Sequence, residues 1–127
     1  MTPLEVVKSF YTILGSGNGL AALDLLAPSV SWTEMFPGYA GAWTGPEATR
    51  RNLFEPLGHD WEGFLIAPES FVLEGSNVVA FGTYSGIYKK TGKPMVAPFV
   101  HRWEVIDGKA ISMRQYTDTA LVQAART

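Results

Sequence analysis

Phe99-Val100-His101-Arg102-Trp103-Glu104-Val105-Ile106-Asp107-Gly108-Lys109-Ala110-Ile111-Ser112-Met113-Arg114-Gln115-Tyr116-Thr117-Asp118 reads as two strands about one turn. Phe99, His101, Trp103 and Val105 alternate with Arg102 and Glu104, so one face is apolar apart from a single histidine. Ile106-Asp107-Gly108 supplies the tight, Gly-bearing connection that an antiparallel hairpin requires. In the second strand Met113, Gln115 and Thr117 share one face and Arg114, Tyr116 and Asp118 the other. Alternation leaves open which of these two faces turns inward, because bulges shift side chains near sites.

Further strand runs lie upstream near 64–74 and 77–88, with this pair near 95–106 and 110–118. Glu74-Gly75-Ser76-Asn77 and Lys90-Thr91-Gly92-Lys93 are short, Gly-bearing links of the kind antiparallel hairpins need. The N-terminal part has helical period instead. Thr2-Pro3-Leu4-Glu5 forms a capping box with Pro at the first helical position, and Leu4, Val7, Tyr11 and Leu14 fall on one face. Val6, Phe10 and Ile13 broaden that stripe. Gly15 to Gly19 ends the helix, Asn18 is placed to cap a second one, and Leu20, Leu23 and Leu26 carry it to Pro28. From Val30 the period is two, with Val30, Trp32, Glu34 and Phe36 in phase. Pro37 to Gly41 is a loop, Thr44-Gly45-Pro46-Glu47 repeats the capping pattern before a third helix, and Pro56-Leu57-Gly58 closes it ahead of an irregular stretch to Gly63. Helices first and a meander afterwards give an α+β protein with helices covering one sheet face.

The order helix-helix-strand-helix-strands, with Gly108-Lys109 and the Tyr116-Thr117-Asp118 ending, resembles the SnoaL-like and ketosteroid-isomerase-like group of the NTF2-like superfamily. The resemblance spans nearly the whole chain. It implies one domain over residues 1–127, a cystatin-like cone whose N-terminal helices pack on a curved, mostly antiparallel sheet round one apolar pocket. It also implies pairing into a homodimer through the exposed sheet face, with Arg102, Glu104, Arg114 and Tyr116 at the partner surface.

Three polar residues stand out as candidate catalytic groups. Glu34 lies in an apolar row, where desolvation raises a carboxyl pKa toward the range of a general base. The resemblance gives it added weight, because the isomerase branch carries its catalytic carboxylate on this strand shortly before a Pro-Gly-like loop, here Phe36-Pro37-Gly38. The alternative is a strand-end carboxyl that reaches solvent or a backbone amide. His101 sits on the strand where the family places its oxyanion-stabilising acid. Counting from Val96-Ala97-Pro98 puts Val100 there and counting back from Gly108-Lys109 puts His101 there; alternation favours His101, since a one-residue slip would bury Arg102 and Glu104. Asp118 occupies the strand end where cyclases and epoxide hydrolases of this group place a working aspartate, or else it caps the segment Thr119-Ala120-Leu121-Val122.

Departures from the family are equally specific. The isomerases' oxyanion-donating Tyr on the first helix corresponds to Phe10, which cannot donate, with Tyr11 adjacent. The strand 78–88 holds Phe81, Thr83 and Ser85 but no charge, which argues against epoxide hydrolysis; Tyr84 and Tyr88 there are possible donors or ordinary sheet residues.

Aromatic residues make up 13% of the chain, with seven Phe, five Tyr and four Trp, a supply that suits an apolar pocket. Trp32, Phe36, Tyr39, Trp43, Phe54, Trp61, Phe81, Phe99 and Trp103 are the expected substrate-binding set, and Tyr39 to Trp43 could overhang its mouth. A net charge of −2 without a basic block argues against nucleic acid. No membrane-length apolar run or secretory leader pattern is visible, so a cytoplasmic location is expected. Without Cys and with only two distant His, no metal site is expected, and no Gly-rich nucleotide loop calls for a cofactor.

Two readings of function follow. The first is a cofactor-independent isomerase or cyclase that abstracts a proton α to a carbonyl in an apolar cyclic substrate of steroid or polyketide type. Glu34 or Asp118 would be the base and His101 the donor at the enolate oxygen. The second is a non-catalytic module of the same fold that binds a small molecule or a partner.

Overall fold

Thr2 starts the chain's longest helix as its side chain predicts. Its Oγ1 accepts from the Glu5 amide at 3.2 Å, and Glu5 accepts from the Thr2 amide at 2.9 Å. The helix α1 (Pro3–Gly15) buries Val6, Val7, Phe10 and Tyr11. Asn18 caps α2 (Gly19–Leu23), accepting from the Ala21 amide at 3.1 Å. This second helix is shorter than its apolar spacing predicts. Leu26 already belongs to β1 (Leu26–Glu34), and Pro28 lies inside that strand, where the ladder slips between Leu26 and Ser31. A proline lacks the amide a regular ladder needs, so it sits at the irregularity.

The computed structural model covers residues 1–127. Its six strands lie in the order β2-β1-β6-β5-β4-β3. Beyond β1 these are β2 (Gly41–Thr44), β3 (Trp61–Glu74), β4 (Asn77–Tyr88), β5 (Lys93–Ile106) and β6 (Lys109–Thr117). Only β1 and β6 run parallel; the other pairs are antiparallel. The loop expected from Pro37 is present through Ala40. The short β2 that follows it, not expected from the sequence, pairs with β1, with Glu34 opposite Gly41 and Ser31 opposite Thr44.

The third helical segment also departs from expectation. Gly45, with φ of 95°, is its cap and makes no side-chain bond, so the Thr44/Glu47 box does not form. The segment runs on through α3 (Pro46–Thr49), a π-helical turn at Arg50–Phe54 and α4 (Glu55–Asp60). Pro56 does not end it. The wider turn, with the Glu55 amide bonded to the Arg50 carbonyl, replaces the regular bond pattern that the proline ring would disrupt. Asp118 caps the closing helix α5 (Thr119–Arg126), accepting from Leu121 at 3.2 Å. No helix is long and apolar enough to cross a membrane.

Register in the quoted hairpin is as alternation requires. Phe99, His101, Trp103 and Val105 are buried; Met113 and Gln115 on β6 join them, and Arg102, Arg114 and Tyr116 face out. One contact explains how β4 and β5 come together over the site. A Cβ on Gly82 would lie 2.3 Å from the Ala67 carbonyl oxygen and 2.5 Å from the Phe99 ring. Gly82→Ala should therefore lose about 3 kcal/mol of stability or more, measured by denaturant unfolding, because a backbone atom cannot rotate away.

Candidate active site

Helix α1 and strands β1, β4, β5 and β6 turn one cluster of side chains inward, and a cavity of about 200 Å³ lies among them. Its walls are mostly apolar, with Trp32, Phe54, Leu57, Ile66 and Met113 typical. Gly15 and Gly58, which are exposed, mark its mouth between α1 and α4. The polar groups on the lining are Glu34, Tyr11, His101 and Tyr84, with the Trp32 and Trp103 indoles beside them.

Glu34 comes in from β1 between Trp32 and Phe36 and is 5% exposed. It accepts from the Trp32 indole nitrogen at 2.9 Å. Burial raises its pKa from 4.5 to about 7, partly offset by the Trp32 bond and by the Phe36 backbone amide. That value has a consequence for stability. The unfolded chain ionises Glu34 near pH 4.5 while the folded chain holds the proton until about pH 7, so stability is greatest at low pH and falls across that window. Glu34→Gln should remove the penalty. Its melting temperature is expected to exceed wild type at pH above about 7, by the equivalent of about 3 kcal/mol, with the difference vanishing toward about pH 4.

His101 lies on β5, stacked on Phe99 with centroids 4.2 Å apart. Its Nδ1 meets the Tyr11 hydroxyl at 2.7 Å and its Nε2 is in short contact with the Tyr84 hydroxyl. Burial lowers its pKa to about 3, so the ring is neutral at ordinary pH. Tyr11 also accepts from the Trp103 indole at 2.9 Å. Tyr84 accepts from Gln115 Nε2 at 3.1 Å, and Gln115 Oε1 accepts from the Met35 amide at 2.9 Å. Both phenols are pushed above their ordinary pKa, mainly by burial; the Glu34 charge adds to the rise at Tyr84. They act as neutral hydrogen-bonding groups.

Of the three candidates from sequence, Glu34 and His101 share the cavity and Asp118 does not. Asp118 is exposed at the start of α5, where its carboxylate is used as a cap. Asp118→Ala is expected to cost about 1 kcal/mol in thermal unfolding, while Asp118→Asn, which still caps, costs little. His101 lines the cavity, but both its ring nitrogens are engaged by the Tyr11 and Tyr84 hydroxyls, which leaves neither free to donate directly into the cavity.

Among the expected binding aromatics, Trp32, Phe36, Phe54 and Trp103 line the cavity. The others have different work. Phe99 packs behind His101, and Trp61 packs at a tilt against Tyr88. Tyr39 donates to Asp60 at 2.6 Å, Trp43 donates to Thr49 at 3.0 Å, and Phe81 is 40% exposed on the outer face. The Tyr39–Trp43 segment therefore is not a lid; most of it is edge strand β2. Tyr11 and Gln115 are the polar residues that sequence reading missed. Tyr11 shares the α1 stripe with Val7 and Leu14, and Gln115 is in phase with Met113, so periodicity held both signals.

A curved six-stranded sheet with helices packed on it is the NTF2-like architecture. The SnoaL-like domain model matches residues 7–113, and the chain belongs to that family. Among solved structures, an NTF2-like protein from Burkholderia thailandensis is similar at 34% identity and TM-score 0.95, covering 100% of this chain and 98% of that one. TerC co-crystallised with polyporic acid is 25% identical with TM-score 0.86, over 97% of this chain and 96% of its own. A candidate SnoaL-like polyketide cyclase from Jannaschia sp. CCS1 is 24% identical with TM-score 0.79, over 97% and 90%. No curated protein matches.

Proposed function

We propose that the chain is a cofactor-independent isomerase or cyclase that removes a proton α to a carbonyl in a small apolar cyclic substrate. One observation carries this reading: a buried carboxyl with pKa of about 7 faces the same aromatic cavity as two neutral phenols already held by hydrogen bonds. Glu34 takes the proton on carbon. The developing enolate oxygen is stabilised by a phenolic O–H of Tyr84 or Tyr11, pre-aimed and shielded from water. Trp32 keeps Glu34 in place, and Gln115 and Trp103 hold the phenols. Glu34 then returns the proton to another carbon, or the enolate carbon closes a ring.

The cavity's size suits a ring system of modest dimensions. The similarity to a protein crystallised with polyporic acid and to a candidate polyketide cyclase is compatible with a cyclic oxygenated substrate. We propose self-association through the outer sheet face, where Phe81, Val96 and Tyr116 are exposed along with Arg102 and Arg114. The test is deuterium exchange, in deuterium oxide, at the α carbons of small cyclic ketones and polyketide-like esters. Exchange that depends on Glu34 supports the enzyme. Saturable binding with no exchange for any ketone would favour the ligand-binding module instead.

A further inference from the structure

Counting protons along the buried chain Trp103–Tyr11–His101–Tyr84–Gln115 gives a result that distances alone do not. The Trp103 indole can only donate, so Tyr11 must accept from it. The Met35 amide can only donate as well, which makes the Gln115 atom facing it the carbonyl and leaves Nε2 as donor to Tyr84. Each phenol oxygen thus has one lone pair occupied from outside. Between them, Tyr11, neutral His101 and Tyr84 own three exchangeable protons: two O–H and one N–H. The two links, Tyr11 to Nδ1 and Tyr84 to Nε2, use two of these. One proton is left.

Its position depends on the imidazole tautomer. With the proton on Nε2, the ring donates to Tyr84, Tyr11 donates to Nδ1, and the free O–H belongs to Tyr84. With the proton on Nδ1, the pattern reverses and the free O–H belongs to Tyr11. In either state the other phenol is left as an acceptor. Both phenols line the cavity.

We infer that His101 is a tautomeric switch, a positioning residue that presents the cavity with one phenolic donor and one phenolic acceptor and can exchange the two. The site is therefore matched to a ligand that carries a carbonyl and, separately, a hydroxyl: a hydroxy-ketone, or the enol form of a diketone. The carbonyl accepts from the free O–H, and the hydroxyl donates to the opposite phenol. Reversal of the tautomer lets the same ligand bind turned end for end. This refines the substrate class of the reaction proposed above and rests on that reading for its catalytic meaning, but it is tested without turnover.

The first measurement is the tautomer of His101 in isotope-labelled full-length protein at neutral pH, from long-range proton–nitrogen correlations, with exposed His59 as an internal reference. Wild type should show a neutral ring. Tyr84→Phe should drive the proton to Nδ1, where Tyr11 accepts it; Tyr11→Phe should drive it to Nε2, where Tyr84 accepts it. The same tautomer in both variants, or a doubly protonated ring in wild type, would overturn the switch. A second measurement needs no variant. Wild-type protein is titrated with para-hydroxyacetophenone and para-methoxyacetophenone, which differ in one donor proton. The hydroxy-ketone should bind at least about tenfold more tightly, because the methoxy ether leaves the acceptor phenol unpaired. Equal affinities, or no binding of either, would overturn the ligand match. Glu34-dependent exchange on a simple ketone would survive that failure, so the two proposals can fail separately.

Discussion

Glu34→Gln is expected to reduce α-proton exchange by about a thousandfold, within the range that a positioned general base contributes. The amide is nearly the same shape and still accepts from the Trp32 indole, so cavity and fold persist and the loss reports on proton transfer. The same variant is expected to be more stable than wild type above neutral pH, as argued from the window between pH 4.5 and about 7. Lower activity with higher stability in one substitution is a combined outcome that mere disruption of the cavity cannot produce. The pH profile provides a third check. For a base that must be ionised, wild-type exchange per encounter should rise with pH and level off above about 7. A profile flat from acid to alkaline pH would remove Glu34 from the role of base.

The second large effect is expected at the phenols. If one O–H stabilises the enolate oxygen, deleting both hydroxyls in Tyr11→Phe with Tyr84→Phe should slow exchange by about two to three orders of magnitude. Each single variant should lose less, because the surviving phenol keeps a free proton through the opposite His101 tautomer. The effects of the two single changes should therefore not add: the double loss should exceed the product of the single losses. Kinetics of the four proteins in this cycle, on one ketone and with unfolding curves measured in parallel, would decide it. If either single variant is as slow as the double, only one phenol serves the oxygen and the other is structural. His101 occupies the centre of this arrangement because Phe99 backs its ring, and Phe99 can lie there only because residue 82 is Gly.

Much of this was legible in the linear chain. The Thr2/Glu5 capping box, the stripe on α1 and the period-two runs through β1, β4 and β5 are local signals, set by backbone geometry within a few residues. They were enough to place Glu34 and His101 on inward faces. Where local signals competed with distant partners, they failed. Leu26 continues a helical spacing, yet it is taken into β1 by pairing with Ala110, on a strand far along the chain. Pro56 looks like a terminator, but a π turn accommodates it. Asp118 is equally suited to catalysis and to capping, and only the docking of α5 shows that its carboxylate is used at the helix end.

The aromatic inventory shows the same division. Its size was plain from composition, whereas its partition was not. Trp32 and Trp103 reach the cavity while Trp43 and Trp61 serve elsewhere, although all four have the same chemistry. By itself the sequence determined the α+β order, the faces of the strands and the presence of an acid in an apolar row, since each depends on neighbours two to four residues away. The tertiary structure decided what that acid works with. Tyr11, His101, Tyr84 and Gln115 come from one helix and three strands, and their hydrogen bonds join residues up to 90 positions apart. No local period encodes such a network; it exists because closing the sheet against α1 excludes water, and buried polar groups must then find one another.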